Sequence, residues 1–471
     1  MKTALLIDDD RISRLLLAQW LTKAGWKVVE AEDGEAGLQA AEKKRPEVVV
    51  CDLLMPRCNG FQVCRAMREK PGKFARTKIV VTTSSSYPTD RVNALEAGAD
   101  EFLVKPIKQA ELIDLLERLT TPGTEFLRRK ADKASIFRRA DEDSHEATQT
   151  GPTDHPMKVK FWGVRGSIPT PGPATAFYGG NTSCVEVRAD GEIIILDAGT
   201  GIRPLGLRLV SEFKDKPISL TLLMTHPHWD HIQGFPFFVP AYNPKNKLRI
   251  LGYEGAREGL GSTLSSQMES PYFPISLQEM PGYIAFQELK NLDFTIGKVR
   301  VQAAFMNHPG ICVGYRLFTS AGSVAYLPDN ESFLRLKSKI NSESDQHYAE
   351  TLAYARSQDE KLADFVRGAD ILITDSQYDA AEYASHIGWG HTCVDDSVAF
   401  ALSARVKRLY LFHHDPGHDD AKISQMEGHA RDLVAQHGSK LHVEAAREGL
   451  EVVLHHPTKA AASKRQAHGF S

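Results

Sequence analysis

No stretch of about 18 consecutive apolar residues occurs in the chain, so no segment reads as a membrane-spanning helix. No leader of basic then apolar residues precedes the first strand-like run, and the expected location is the cytoplasm. The six cysteines (Cys51, Cys58, Cys64, Cys184, Cys312 and Cys393) contain no C-x-x-C pair and read as reduced, mostly structural thiols. A dominant charge sign is missing as well. The 57 Lys and Arg meet 60 Asp and Glu for a net charge of −3, which gives no general affinity for polyanions, DNA included. Between Ile232 and Asn307, seven basic residues face six acidic ones, so no basic arm for a long nucleic acid is visible. What is present is ordinary globular material, 42% hydrophobic and 25% charged over 471 residues. That length suits about two to four domains.

Residues 1–121 alternate five apolar runs with helical patterns. The runs are Ala4–Ile7, Val28–Ala31, Val48–Cys51, Ile79–Thr82 and Glu101–Val104. Arg14–Thr22 and Ala110–Leu119 carry apolar residues at i, i+3, i+4 spacing. This alternation predicts a parallel sheet covered on both faces, with its chemistry at the carboxyl ends of the strands. Asp8, Asp9 and Asp10 follow the first run, Asp52 the third, Thr83 the fourth and Lys105 the fifth. Carboxylates sharing one crevice repel each other, and a hard cation such as Mg²⁺ relieves the repulsion and can also bind phosphate oxygens. Lys105 adds a point charge for an incoming phosphoryl group, and the Thr83 hydroxyl can donate to it.

From Lys2 to about Leu119 the sequence resembles a response-regulator receiver domain, a doubly wound, five-stranded, flavodoxin-like fold. The resemblance implies Asp52 as phosphoacceptor, with Asp8, Asp9, Asp52 and the Leu54 carbonyl around Mg²⁺. It implies Thr83 as the switch hydroxyl, with Thr82 the adjacent alternative, Phe102 as the switching aromatic and Lys105 as the phosphate-contacting lysine. It also implies a sensor histidine kinase or phosphotransfer protein as partner.

Residues 122–156 read as a charged connection, a frayed helix followed by a flexible linker. Its basic clusters, Leu127–Lys130 and Phe137–Arg139, are short and followed by Asp141-Glu142-Asp143, so they read as a solvated face.

The remainder, 157–457, is organised around Thr225-His226-Pro227-His228-Trp229-Asp230-His231, which comes directly after the buried-strand pattern Leu220–Met224. Three imidazoles and a carboxylate within six residues could not all pack in a core as neutral polar groups. Two divalent metals sharing the loop are the simplest reason for them. Further ligands have to come from other strand ends. Asn307-His308 follows Val299–Phe305, Asp329 follows Tyr326-Leu327, Asp375 follows Asp370–Thr374, and His413-His414 follow Leu409–Phe412. His391 lies in the polar loop Gly388–Thr392. Asp197 sits where a carboxylate could brace the histidine loop. His386, His418, His429 and the tail histidines read as surface residues, and 458–471 as a polar tail.

The pattern His226-x-His228-x-Asp230-His231 resembles the signature of the metallo-β-lactamase fold, an αββα sandwich, across nearly all of 157–457. Carried over by position, one metal takes His226, His228 and His308, and the other takes Asp230, His231 and His413. Asp329 bridges them. His414 is the alternative to His413, which follows directly on its strand. Phe161–Ser167, Gly180–Ser183 and Gly390-His391-Thr392 bring the ribonuclease Z and cyclic-nucleotide phosphodiesterase branch closest. That branch implies His391 as general acid towards the leaving oxygen and Asp230 as the residue orienting the attacking hydroxide. The metal identity is open between zinc, manganese and iron, since imidazole and carboxylate accept all three.

The expected function is a phosphodiesterase cutting a small 3′,5′-cyclic nucleotide under control of Asp52 phosphorylation, in a homodimer. A receiver fused to a hydrolase suits removal of a second messenger. A ribonuclease Z-like RNA phosphodiesterase shares the residues but lacks the basic arm, and a non-catalytic scaffold fits poorly with an intact ligand set. β-Lactam or thioester hydrolysis fits less well given His391-Thr392. Of Tyr242, Tyr253, Tyr272, Phe273 and Tyr283, any could face a nucleobase, although most are expected in the core.

Overall fold

The computed structural model describes residues 2–121, 156–253, 259–270, 272–338 and 346–455. Nearly all of the expected connection and the whole expected tail lie outside the described residues.

The first five strands are β1 (Thr3–Ile7), β2 (Lys27–Ala31), β3 (Val48–Asp52), β4 (Lys78–Thr83) and β5 (Glu101–Val104). All their pairings are parallel, in the order β2-β1-β3-β4-β5. β3 is buried along its whole length, as a strand with helices on both faces must be. Acidic caps start the first two helices. Asp10 accepts from the backbone of Ile12 and Ser13 to open Arg11–Lys23, and Asp33 accepts from Ala36 to open Gly34–Lys44. The strand order reverses between β1 and β3, which opens a crevice at the carboxyl ends where Asp8 and Asp52 sit.

Among the described residues, fourteen further strands make two seven-stranded sheets. The first contains β6 (Met157–Gly163), β7 (Cys184–Ala189), β8 (Glu192–Leu196), β9 (Ser219–Leu223), β10 (Lys247–Gly252) and β11 (Tyr283–Glu288). The second runs β12 (Asp293–Ile296), β13 (Val299–Phe305), β14 (Val313–Thr319), β15 (Gly322–Leu327), β16 (Ile371–Asp375), β17 (Arg408–Phe412) and β18 (His442–Ala445). β19 (Glu451–Leu454) returns to pair with β6. β6 alternates buried and exposed or half-buried positions, so Met157, Val159 and Phe161 face the opposite sheet. Phe161 meets Tyr410 at 5.4 Å and Phe412 at 6.2 Å between ring centroids. The helix Ile202–Phe213 covers the outer face of the first sheet, and Val394–Ser403 and Asp420–Gln436 cover that of the second. The result is the expected αββα sandwich. Strands β8 to β10 are mutually parallel, as are β15 to β18, so their carboxyl ends gather chemistry along one rim.

The two halves touch. Ile311, just after β13, is buried in the same cluster as Met55, Cys58 and Phe102 of the first half. Arg57 N–H donates to the Lys290 carbonyl at 2.6 Å. All six cysteines are buried free thiols, and among the described residues no helix is long and apolar enough to cross a membrane.

Phe161→Ala removes the ring at the centre of the inter-sheet core. It should lower the unfolding free energy by about 3–5 kcal/mol, read by urea denaturation. A loss below about 1 kcal/mol would mean that the sheets close over the gap.

Candidate metal centre

The histidine loop leaves β9 at Thr225, and Asp197 at the end of β8 holds it. Thr225 N–H donates to Asp197 Oδ1 at 2.8 Å, and the Thr225 hydroxyl lies 2.9 Å from Oδ2. Asp197 adopts φ 61°, which turns its side chain towards the loop. Tyr326 OH also donates to it, at 2.9 Å. The short helix Trp229–Ile232 then winds Asp230 and His231 back beneath His226 and His228.

Two donor sets result. His226, His228, His308 and Asp329 place one ligand atom each within 4.8 Å of the others, and so do Asp230, His231 and His413. Asp329 stands between them. Its Oδ2 is 3.6 Å from both His226 Nε2 and His308 Nε2, while Oδ1 is 3.2 Å from His231 Nε2 and 3.4 Å from His413 Nε2. Asp230 Oδ2 is 3.0 Å from His413 Nε2 and 3.3 Å from His231 Nε2. His391 and His413 also place donors within 4.8 Å of each other and of Asp329. The remote nitrogens are tied to oxygens. His231 Nδ1 meets Asp197 at 2.9 Å, His308 Nδ1 the Gly390 carbonyl at 2.8 Å, His413 Nδ1 the Gln377 amide oxygen at 3.0 Å, and His226 Nδ1 the Thr225 hydroxyl at 3.0 Å. A proton held on each outer nitrogen leaves the inner one with a lone pair, the arrangement a ligating imidazole needs.

Two glycines are required by close approach. A Cβ on Gly166 would lie 2.3 Å from the His413 ring, and one on Gly390, which has φ +90°, 2.5 Å from His308 Nδ1. Gly166 lets the next residue, Ser167, donate its N–H to Asp230 Oδ2 at 2.8 Å. Arg165, fully buried, clamps this turn by donating to the carbonyls of Gly179, Asp415 and His418.

The electrostatics suit divalent ions. Burial, then neighbouring imidazoles, push the His226 pKa well below its ordinary value, and burial lowers His228 and His308, so these rings are neutral. Burial would raise Asp230 and Asp329, but the facing imidazoles outweigh it and hold both well below the carboxylate range. His231 behaves oppositely. Burial would lower it, yet Asp230, Asp329 and Asp197 raise it strongly, marking where the site draws positive charge hardest. His226 Nε2, His231 Nε2 and Asp329 Oδ1 are buried without hydrogen-bond partners. Buried polar atoms left so, on imidazoles facing ionised carboxylates, fit two metal ions.

The structure therefore brings His226, His228, Asp230, His231, His308, Asp329 and His413 to one rim, with His391 beside them. Of the two adjacent histidines, His413 faces the cluster. His414 turns away, Nε2 towards the Ala446 carbonyl at 2.8 Å, and its pKa is pushed down to about 3 by burial. Asp375, read from sequence only as a strand end, holds His391 Nδ1 at 2.8 Å. Burial opposes protonation of His391, but Asp375 overrides it and lifts the pKa to about 9. Glu331 and Gln377 were not legible as site residues, since each acts through a neighbour and lies in no motif, and Thr225, inside the histidine motif, gave no sign of its bond to Asp197. His418 is buried rather than at the surface, because Arg165 takes its carbonyl and Glu382 its ring. Tyr242, Tyr253 and Phe273 pack against the core, while Tyr272 and Tyr283 are exposed. The indoles of Trp229 and Trp389, next in sequence to His228 and to Gly390, are 66% and 61% exposed.

The first half holds a second cluster. Asp8, Asp9 and Asp52 gather their oxygens within 4.8 Å, and Lys105 Nζ lies 2.9 Å from both Asp8 and Asp52. Burial, opposed by Lys105 and helped by Asp8, raises Asp52 to about 7. Three carboxylates against one ammonium suit a hard dication. Thr83 is buried, with its hydroxyl accepting from Ser85 N–H at 3.1 Å, and Phe102 packs in the core.

Residues 4–117 match the family described as Response regulator receiver domain, and 193–414 match the Beta-lactamase superfamily domain. The probable transcriptional regulator ycf27 of Porphyridium aerugineum is 38% identical over 108 residues, 23% of this chain and 43% of that protein. The transcriptional regulatory protein AfsQ1 of Streptomyces coelicolor is 36% identical over 136 residues, 29% of this chain and 57% of that one. The chain spans about half the length of the curated relatives it matches. Among solved structures, the metallo-beta-lactamase fold protein YhfI from Bacillus subtilis is 16% identical, with a TM-score of 0.43, covering 63% of this chain and 99% of that one.

Elemental analysis should find about two transition-metal ions per chain. Asp197→Asn should weaken metal binding about 10- to 100-fold by loosening His231 and the Thr225 turn, measured by chelator competition. Unchanged affinity would remove Asp197 from the design of the site.

Proposed function

We propose that this chain, a response-regulator receiver domain joined to a metallo-β-lactamase-fold domain, is a phosphorylation-controlled phosphodiesterase using two divalent transition metals, most suitably zinc or manganese. Its substrate on this reading is a 3′,5′-cyclic nucleotide. The observation that supports it is the division of Asp329, one oxygen towards each donor set, with a protonatable His391 next to both.

Bound there, two divalent ions would supply Lewis acidity and a means of ionising water near neutral pH. The residues of the chain do the rest. Asp230, fixed by Ser167 N–H, accepts a hydrogen bond from the incoming water and aligns it with phosphorus. A phosphorus–oxygen bond forms to the water oxygen, whose proton passes to solvent, and the bond to the sugar oxygen breaks. His391 donates a proton to that departing oxygen and regains one from solvent. Asp375 keeps its imidazole charged and oriented through Nδ1, leaving Nε2 for the substrate. The exposed faces of Trp229 and Trp389 offer stacking for a base. The balanced charge of 232–307 favours a small substrate over a long RNA. A sensor histidine kinase or phosphotransfer protein would load Asp52, and the chain would act as a homodimer.

His391→Ala should lower kcat for a cyclic nucleotide about 10²- to 10⁴-fold. It should spare bis-p-nitrophenyl phosphate, whose leaving group departs without a proton. Equal losses on both would deny His391 the acid role. Turnover of precursor tRNA but of no cyclic nucleotide would replace the substrate proposed.

Wild type with and without a phosphoryl donor, and Asp52→Ala, should differ in rate. Three equal rates reject control through Asp52.

A further inference from the structure

The segment after β4, residues 84–90, belongs to the receiver, yet most of its polar side chains bond to the metal domain. Ser84 Oγ lies 2.6 Å from Tyr354 OH in the helix Gln346–Val366, and Lys337 Nζ donates to Ser86. Tyr87 OH, on a side chain 2% exposed, is 3.1 Å from both the Asn307 carbonyl and Glu331 Oε2. Asp90 Oδ1 accepts from Gly310 N–H at 2.8 Å. Asn307 and Gly310 bracket His308, so the receiver grips that loop on both sides.

Glu331 lies two residues after Asp329 and is fully buried. Four donors converge on its carboxylate. Oε1 accepts from Tyr383 OH at 2.9 Å and Gly388 N–H at 2.8 Å, and Oε2 accepts from Gly390 N–H at 2.9 Å and from Tyr87 OH. Gly390 is the residue whose carbonyl fixes His308 Nδ1 and whose neighbour is His391. One carboxylate thus sets the loop carrying the proposed acid and the acceptor that orients a proposed ligand. Three of its donors come from the metal domain and the fourth from the receiver.

Resting on the metal-site reading above, we propose that Glu331 is a positioning residue for the His308 and His391 loops, and that Tyr87 makes its geometry depend on the state of Asp52. The link at the other end is short. Ser85 N–H donates to Thr83 Oγ1, and Ser85 Oγ both donates to Asp90 and accepts from Tyr87 N–H at 3.3 Å. The Thr83 hydroxyl can donate to a phosphoryl oxygen on Asp52 while it keeps the Ser85 N–H. Any shift of Thr83 towards that oxygen is carried through Ser85 to Tyr87 and Asp90 together. Charge-assisted bonds in a closely packed interior hold discrete arrangements and do not stretch continuously. The displacement therefore reaches Glu331 and Gly310 as an exchange of partners.

The test measures loss of metal to a chelator from the zinc-loaded full-length chain, with and without beryllofluoride as the phosphoryl mimic. This readout does not depend on knowing the substrate. Beryllofluoride should change the wild-type rate severalfold and leave Asp52→Ala unmoved. Tyr87→Phe, which removes only the hydroxyl, should release metal about tenfold faster and lose the beryllofluoride response. Glu331→Gln, which leaves the receiver intact, should do the same. With bis-p-nitrophenyl phosphate, Tyr87→Phe should lower kcat while KM stays within about twofold, the mark of misplaced machinery. A wild-type release rate indifferent to beryllofluoride, or variants that keep the full response, would overturn the relay. Failure to cut any phosphodiester while metal release still responds would remove the proposed activity and leave the relay standing.

Discussion

One buried carboxylate sets the terms for the second half of this chain. Asp329 is 1% exposed, and a charge so placed is expensive unless something of opposite sign meets it. Its two oxygens face different companies, His226 and His308 on one side and His231 and His413 on the other. The first sheet delivers the 226–231 loop, and the second delivers His308, Asp329 and His413. The centre can exist only where the carboxyl rims of the two sheets meet. Phe161, Tyr326 and Phe412, packed between the sheets, are therefore as necessary to it as the ligands. The fold is arranged so that no single strand has to carry a cost that several can share.

The two acidic centres solve the same electrostatic problem differently. In the receiver, three carboxylates confront one lysine, and the donors are all oxygens. That set suits a small hard cation that comes and goes with phosphate. In the metal domain five of the seven donors are imidazoles, and burial makes three of them, His226, His228 and His308, neutral, which suits borderline ions held in place. The first favours exchange, and the second favours permanence. The chain therefore carries both kinds of donor set, one built of oxygens and one dominated by imidazoles.

How legible this was depended on whether a residue's role is local. The five receiver strands and β9, β13, β16 and β17 announced themselves through apolar runs bounded by turns, because burial imposes a pattern on consecutive residues. The cluster 226–231 was visible because its residues are adjacent. His308, Asp329 and His413 could be found only from their places just beyond apolar strands, and resemblance supplied their grouping. The choice between His413 and His414 was open, since two adjacent side chains leave a strand end in different directions and only the packed partner decides. His418 reads as a surface histidine because nothing in its neighbours reveals that Arg165, some 250 positions earlier, claims its carbonyl. Glu331 and Tyr87 left no trace, since their meaning lies in contacts with distant positions, 244 apart where the two meet each other.

That last contact bears on how a receiver can act on a neighbouring domain at all. A tethered receiver can shift only the concentration of its partner surface, and its influence is averaged over many relative orientations. Here the segment beginning one residue after Thr83 is already bonded to the loops beside Asp329. Three residues separate Thr83 from Tyr87, and one separates Glu331 from Asp329. No extended chain of packed residues has to transmit a displacement between the sites, since the elements concerned share hydrogen bonds directly. Coupling of this kind is reciprocal in its binding free energies. If the state of Asp52 alters how firmly the His308 loop holds a metal, then a metal in that loop alters how readily the receiver accepts its phosphoryl group. The covalent order of the chain, receiver first and metallo-β-lactamase fold second, conceals that the segment after Thr83 is hydrogen-bonded to the loops carrying His308 and Glu331.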